Sequence, residues 1–293
     1  MIGYHITRAA LEKKIEQHAA GWLKRAATRT RRFRKAKRFR ETSSIWSQVK
    51  PVYMELQGSS KCVYCERKLE SVKYGKGEQD VEHFRPKASV RSWKVPKAVS
   101  GAGVAVTKPK KGTKGYYLLP YDLFNYAASC KPCNSALKSN YFPIAGAYRT
   151  TGARPESLLI EKPLLIYPIG DFDDPPEKLI RFHGVSPQPV AATGYLRDRA
   201  LVTIEFFKLD DALGRKNLVR ERAAVIIALF PQLQAQTSAR QLGTAARRII
   251  ESYTADSAPH ANCARSFVAL HGAAPQEAVA IYGSAVAFIE SIS

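Results

Sequence analysis

Lys61-Cys62-Val63-Tyr64-Cys65-Glu66 and Cys130-Lys131-Pro132-Cys133-Asn134 are the two stretches that decide the fold of this chain. Each carries a C-x-x-C pair. A structural zinc ion takes four tetrahedral ligands, and a C-x-x-C turn supplies two thiolates about 2.3 Å from the ion. Two such turns close a site. The fifth cysteine, Cys263, stands alone. An odd count without a secretory signal speaks against a disulfide framework. Two unrelated reduced pairs, or a redox dithiol, are the competing readings of the spacing alone. With so long an interval between the pairs, the fold must bring them together, and the segment between them then projects from the ion. Cys263 reads as a small buried apolar residue of a helix.

Around these pairs lie 293 residues, enough for one large domain or two ordinary ones. Apolar residues make up 45% and charged residues 24%, the profile of a soluble globular chain. No apolar run reaches the roughly 20 residues that span a bilayer. The N-terminus lacks the apolar core of a secretory signal, so the cytoplasm is the expected location. The charge balance is more telling: 46 Lys or Arg stand against 25 Asp or Glu, a net charge of +21. Self-repulsion makes that excess slightly costly to a compact fold, and a polyanionic partner is its simplest rationale. Nucleic acid fits better than a membrane surface, because no strongly amphipathic apolar face accompanies the basic runs.

Residues 1–40 hold about half of this excess, with 13 Lys or Arg against Glu12 and Glu16. Leu11, Ile15, Ala19, Trp22 and Leu23 predict a helix over 8–27. The basic run 29–40 follows, with Arg31, Arg32, Arg34 and Lys35 as candidate phosphate contacts and Phe33 or Phe39 as candidate stacking platforms. A solvated helix face is the plainer reading of this run, but no acids interleave to neutralise it. Ser44 is placed to cap a helix toward Leu56, with Pro51 set to break or kink it. A turn at 58–60 leads into the first knuckle. Residues 94–115 hold six Lys, four Gly and no acid, and read as an inserted mobile loop. Short strands are predicted at 164–168 and 178–182. Apolar helices are predicted over 223–229, 245–253 and 277–292. The organisation expected is a basic helical arm at 1–57, a zinc-stapled core at 58–146 and a mainly helical region at 147–293.

Between the knuckles, Asp80-Val81-Glu82-His83 places two acids and a histidine within four residues. In a strand, Asp80 and Glu82 share one face and His83 takes the other. A turn near Pro86 lets Glu82 and His83 converge. Phosphodiester cleavage needs a base for water, a divalent cation on the phosphate and positive charge for the oxyanion. His83, Glu82, Arg85 and Lys87 are the right residue types, although a structural histidine explains the Glu-His pair, taken alone, better. Asn134 and Lys138 follow the second knuckle on what reads as a helix start. An Asn oxygen is a hard donor suited to Mg²⁺, and a helix N-terminus favours a phosphate.

Taken in order, Cys62-x-x-Cys65, Asp80 to Lys87, Asn125, Cys130-x-x-Cys133-Asn134, Lys138 and Phe142-Pro143 resemble the zinc-bearing HNH endonucleases. The nearest branch is the HNH subunit of Septu-type and retron-associated anti-phage systems. The likeness is densest from Cys62 to Pro143. It continues weakly through 164–168, Thr203-Ile204, Leu209 and Arg215. The resemblance implies an α+β protein with a ββα-metal core and a Cys₄ structural zinc. It implies His83 as the general base, Glu82 and Asn134 as ligands of a catalytic Mg²⁺ or Mn²⁺, and Asn125 as the brace of the loop between two strands. Lys138 matches a common basic helix position. Glu82 departs from the commoner Asp, Tyr121-Asp122-Leu123-Phe124 stands where many members carry a Trp, and the insertion at 94–115 lengthens the loop beside the site.

The expected activity is therefore metal-dependent hydrolysis of nucleic acid, with double-stranded DNA as substrate, Arg85, Lys87 and Lys138 on the phosphates, and a partner ATPase of a defence system within the implied context. A zinc-dependent nucleic-acid-binding module with an inactive site and an RNA-cleaving toxin nuclease are the alternatives. His5, His18, His183, His260 and His271 lack metal-site context and read as ordinary.

Overall fold

One carboxylate holds the turn between the first two helices. The computed structural model describes residues 1–58, 60–75, 77–238 and 243–292, and Ser59 of the predicted turn lies outside them. The helix expected over 8–27 is two helices, α1 (Arg8–His18) and α2 (Trp22–Ala36). Gly21, at φ +69°, turns the chain between them. The Glu16 carboxylate accepts from the Gly21 and Leu23 amides at 2.7 and 2.8 Å. It thus satisfies amides that a helix start leaves free. The basic run at 29–40 is largely the second half of α2. The Trp22 indole donates to the Ile45 carbonyl at 2.9 Å, which lets the whole ring be buried. A 3₁₀ turn, Trp46–Val49, leads into α3 (Lys50–Leu56). Pro51 sits in the first turn of α3, where its missing N–H costs nothing, so it starts this helix instead of breaking it.

Two antiparallel strands, β1 (Gln79–His83) and β2 (Tyr126–Cys130), pair with Gln79 opposite Cys130 and His83 opposite Tyr126. A short wide-turned helix, Pro132–Lys138, follows β2 directly. The first knuckle is laid against β2: the Val63 amide donates to the Ala128 carbonyl at 3.0 Å. Buried Gln57 completes the tie. Its amide nitrogen donates to the Lys61 and Ala128 carbonyls, both at 2.8 Å, and its oxygen accepts from the Ala128 amide at 2.7 Å.

The Lys-rich segment 94–115 is more than a loop. It contains the short helix α4 (Lys97–Gly101), buries Val99 and Val104, and bonds the Thr107 amide to the Ile144 carbonyl at 2.8 Å. Its few apolar residues give it something to dock with.

Beyond residue 147 the strand expectations shift. Residues 164–168 are buried but form no strand among the described residues, and the chain bends at Leu164 and Leu165. Lys178 and Leu179 close α5 (Pro176–Leu179), and the strand is β3 (Ile180–His183), a hairpin with β4 (Ser186–Pro189). Helices α6 (Gly194–Phe206), α7 (Lys216–Ser238), α8 (Gly243–Thr254), α9 (Ala261–Ala273) and α10 (Pro275–Ile292) follow, with α7 to α10 packed on one another as their apolar content predicts. They meet the first knuckle where the Tyr64 ring stacks on Phe207 at 3.9 Å and Lys61 donates to the Ala258 carbonyl at 2.8 Å. Cys263 is a buried residue of α9. The chain is mostly helical α+β with two small two-stranded sheets. No helix among the described residues is long and apolar enough to cross a membrane.

A fully buried ion pair holds the segment after β1. The Arg85 Nε donates to the Glu161 carboxylate at 3.3 Å, and the Tyr116 hydroxyl and Arg149 amide donate to the same group at 2.9 and 2.5 Å. Removing one partner of a buried pair leaves an uncompensated charge. Glu161→Ala is expected to lower the unfolding free energy by about 3–5 kcal/mol. Urea denaturation at pH 7 checks this, and an unchanged midpoint would contradict it.

Candidate functional site

The four knuckle cysteines converge. Their sulfurs all lie within 4.8 Å of one another, all four residues are buried, and none is in a disulfide. The Cys65 and Cys130 sulfurs are 3.9 Å apart. Tetrahedral ligands about 2.3 Å from an ion sit on the order of 3.8 Å from each other, so the cluster fits a structural zinc. The convergence removes the reading of two unrelated pairs. Both terminal nitrogens of Arg215 lie 3.7 Å from the Cys133 sulfur. With an ion bound, its charge would offset the excess negative charge that four thiolates place on a divalent cation.

A cavity of about 490 Å³ opens beside this cluster, lined among others by Trp46, Asp80, Glu82, His83, Lys87 and Asn134. β1 carries Asp80, Glu82 and His83, and the helix after β2 carries Asn134. His83 Nε2 lies 3.2 Å from the Pro120 carbonyl oxygen. Only a protonated nitrogen can serve that acceptor, so Nδ1 is left as the lone-pair nitrogen. The Trp46 and Tyr126 rings meet the imidazole edge-on at 4.8 and 5.1 Å and fix its plane. Burial, and then the Lys87 charge, push the His83 pKa well below its usual value. The ring is therefore neutral near pH 7.

Glu82 is buried, and its Oε1 lies 3.3 Å from the Lys138 ammonium. The two are paired by charge alone, and neither atom has a hydrogen-bond partner among the described residues. Burial pushes the Glu82 carboxyl up to about 7, against the opposing pull of Lys138 and Lys87. Burial likewise lowers the Lys138 pKa, against the pull of Glu82. Asn134 Nδ2 lies 3.4 Å from Asp80 Oδ2, and Asp80 also pairs with Lys131 at 2.5 Å.

Asn125 stands just outside the cavity and ties the two strands' loop ends together. Its Oδ1 accepts from the Arg85 amide at 2.7 Å, and its Nδ2 donates to the Arg85 and Leu119 carbonyls, both at 3.1 Å. The Phe84 amide donates to the Asn125 carbonyl at 2.9 Å.

Several expected contacts are placed elsewhere. Arg85 is fully buried with Glu161 and does not line the cavity, so its charge is spent inside the fold and does not face a phosphate there. Lys138 is fully buried against Glu82 and faces a carboxylate, not solvent. Phe33 is buried, stacked on Tyr121 at 6.2 Å and beside Phe39 at 5.1 Å, and anchors α2 instead of presenting a base platform. Arg31, Arg32, Arg34 and Lys35 are all exposed, but Arg31 and Arg34 line one cavity and Arg32 another. Neighbouring helix positions diverge by about 100°, so a dense basic run cannot present one face.

Some residues of the site escaped sequence reading. Trp46 and buried Lys50 line the cavity from the segment before the first knuckle, which has no motif. The Pro120 carbonyl orients His83 without any side-chain signature. Asp80 did carry a signal, its i, i+2 spacing with Glu82.

No protein-family model and no solved structure matches the chain. One stretch of 122 residues, 41% of the chain, is 35% identical to the Septu protein PtuB of Bacillus mycoides (strain KBAB4). That stretch spans 34% of the relative, so the chain covers about a third of its length. The homology is distant.

Metal binding at a structural site contributes on the order of 10 kcal/mol to folding. Cys130→Ser is therefore expected to lose bound zinc and native helicity together. Metal content by atomic emission and circular dichroism check this. A variant that keeps one zinc per chain and the native melting temperature would remove Cys130 from the site.

Proposed function

We propose that this chain is a metal-dependent HNH endonuclease that hydrolyses nucleic-acid phosphodiester bonds, with double-stranded DNA as substrate, in a Septu-type anti-phage defence system. One observation carries the reading: Glu82, His83 and Asn134 line a single cavity on two antiparallel strands and the helix that follows them. The homology to a Septu protein supports the defence context. A partner ATPase belongs to that context.

The residues fit a hard divalent cation. Glu82 Oε1 is buried without a hydrogen-bond partner. The nearby donors, Asn134 and Asp80, are oxygens, which suit Mg²⁺ or Mn²⁺ better than softer metals. Glu82 and Asn134 would hold the ion, with Asp80 alongside. When bound, such an ion supplies Lewis-acid polarisation of the phosphate and charge for the leaving oxygen. His83 does the proton work. Neutral, and with Nε2 engaged by Pro120, it takes a proton from water at Nδ1. The Pro120 carbonyl then stabilises the imidazolium that forms. Lys87 holds a phosphate oxygen at the cavity edge. Asn125 keeps the strand ends in register, so that the base stays aimed.

Wild type should nick supercoiled plasmid in Mg²⁺ or Mn²⁺, and His83→Ala should cut at least about a hundredfold more slowly, the usual size of a general-base contribution. Equal cutting by both would sink the assignment. tRNA in the same assay separates the RNA-toxin reading. Only the carboxylate form of Glu82 binds a cation. Mn²⁺ affinity, measured by titration calorimetry, should fall about tenfold per pH unit below the Glu82 pKa of about 7 and level off above it. A flat affinity from pH 5 to 8 would place Glu82 outside the metal site.

A further inference from the structure

The two basic runs that are far apart in sequence meet in space. Lys37, in the left-handed cap that ends α2, lines a cavity of about 470 Å³ with Lys110, Lys111 and Lys114 of the Lys-rich segment, and no acidic residue lines it. The Lys114 ammonium donates to the Lys37 carbonyl at 3.1 Å. The carbonyl end of a helix carries partial negative charge, which explains why a lysine of this segment docks there.

The same segment is zipped to the chain leaving β1. The Tyr116 amide donates to the Pro86 carbonyl at 2.8 Å, the Gly115 amide to Ala88 at 2.9 Å, and the Val90 amide to Thr113 at 3.3 Å. A side chain at Gly115 would come within 2.4 Å of the Lys87 backbone, so only glycine permits this approach. Lys87 belongs to both regions. Its ammonium lies over the Trp46 ring at 4.8 Å and the Phe39 ring at 5.9 Å, and it lines the cavity of His83. Lysines thus run from the Lys-rich segment along the end of α2 to the cavity of Glu82 and His83.

We propose that this row is a binding track for the backbone of a nucleic-acid duplex, with Lys37, Lys110 and Lys111 as its outer contacts and Lys87 as its inner one. This rests on the nuclease reading only for the direction in which the track leads. A duplex, not a single strand, fits the surface. Single-strand sites offer exposed aromatic faces for base stacking. Here Phe33 and Tyr117 are buried, Phe39 is covered by Phe33 and Trp46, and none of the large exposed hydrophobic residues lies in 29–40 or 108–117. What the track presents is charge without stacking, which positions phosphates and carries no sequence preference.

The test is duplex binding by fluorescence anisotropy in a His83→Ala background without added Mg²⁺ or Mn²⁺. Lys37→Gln, Lys110→Gln and Lys111→Gln are combined in one chain. None of these ammonium groups makes a hydrogen bond among the described residues, unlike Lys114. The control chain carries Arg220→Gln, Arg247→Gln and Arg248→Gln, the same charge change on the exposed faces of α7 and α8. The track variant should bind a 30-base-pair duplex about tenfold more weakly or worse at 0.1 M salt. Its slope of log affinity against log salt should be smaller by about 2–3, near 0.9 for each lost phosphate contact. The control should change less than about twofold. Equal weakening in both chains would mean a diffuse field and no track. Tighter binding of a single strand than of the duplex would also overturn the proposal. Cleavage plays no part in this measurement, so a wild type that fails to nick would sink the nuclease reading alone.

Discussion

The convergence of four thiols depends on a backbone contact as much as on any ion. The Val63 amide reaches the Ala128 carbonyl, and Gln57 closes the remaining polar groups of Lys61 and Ala128. That contact sets the first knuckle against β2, whose last residue is Cys130. Every later feature follows from this placement. Cys62 and Cys65 reach the second pair, β1 is brought alongside β2, and the helix after Cys133 starts where its Asn134 lines the same cavity as Glu82 and His83. An amide left unpaired in so dry a place costs about 1–3 kcal/mol, so replacing Gln57 would strain the staple even with an ion in it.

Dryness also sets the character of the cavity. Glu82, His83 and Lys138 are all buried, and in each case burial is the first cause of the pKa shift. For His83 the result is a neutral ring, which is what a base requires. For Glu82 the result is a carboxyl balanced near neutrality, held partly charged by Lys138 and Lys87. A carboxylate with an idle oxygen and an imperfectly aligned ammonium is weakly compensated. It gains more from a divalent cation than a fully hydrogen-bonded one would, because less has to be given up. The fold thus leaves electrostatic demand where a hard ion would relieve it.

Sequence reading went furthest where chemistry restricts spacing. Two C-x-x-C pairs leave few alternatives, and Asp80, Glu82 and His83, with Asn134 just after the second pair, stand out as a group in the sequence. It failed where the deciding partner is distant. Arg85 looks like a phosphate contact beside His83, yet its partner Glu161 lies in a 3₁₀ helix far down the chain, and no local pattern announces the pair. Phe33 reads as an exposed aromatic among arginines until Tyr121 is brought under it. The helix predicted over 8–27 is broken at Gly21, where the Glu16 carboxylate folds onto the next helix start, a contact that periodicity does not encode. Residues 94–115 misled in the other direction. Lysine and glycine content suggested a free loop, while two valines and a glycine at a crowded position suffice to dock it.

The same contrast bears on the charge. A surplus of +21 states that a polyanion is favoured, but not where. Placement decides how much of it acts together. Arg85 and Arg199 are consumed by buried carboxylates, and Arg222 by backbone carbonyls. Arg215 is turned toward thiols and Lys138 toward Glu82. These cations serve the fold and are lost to any partner. The lysines that remain exposed around Lys37 gain from being few and close. Charges within about 8 Å of one another lie inside a Debye length at physiological salt and reinforce one another on a passing phosphate chain. Scattered charges on distant helices are screened separately. The useful quantity for a partner is therefore the local density of uncommitted cations beside the cavity, and the close docking of residues 113–116 against 86–90 is what raises it there.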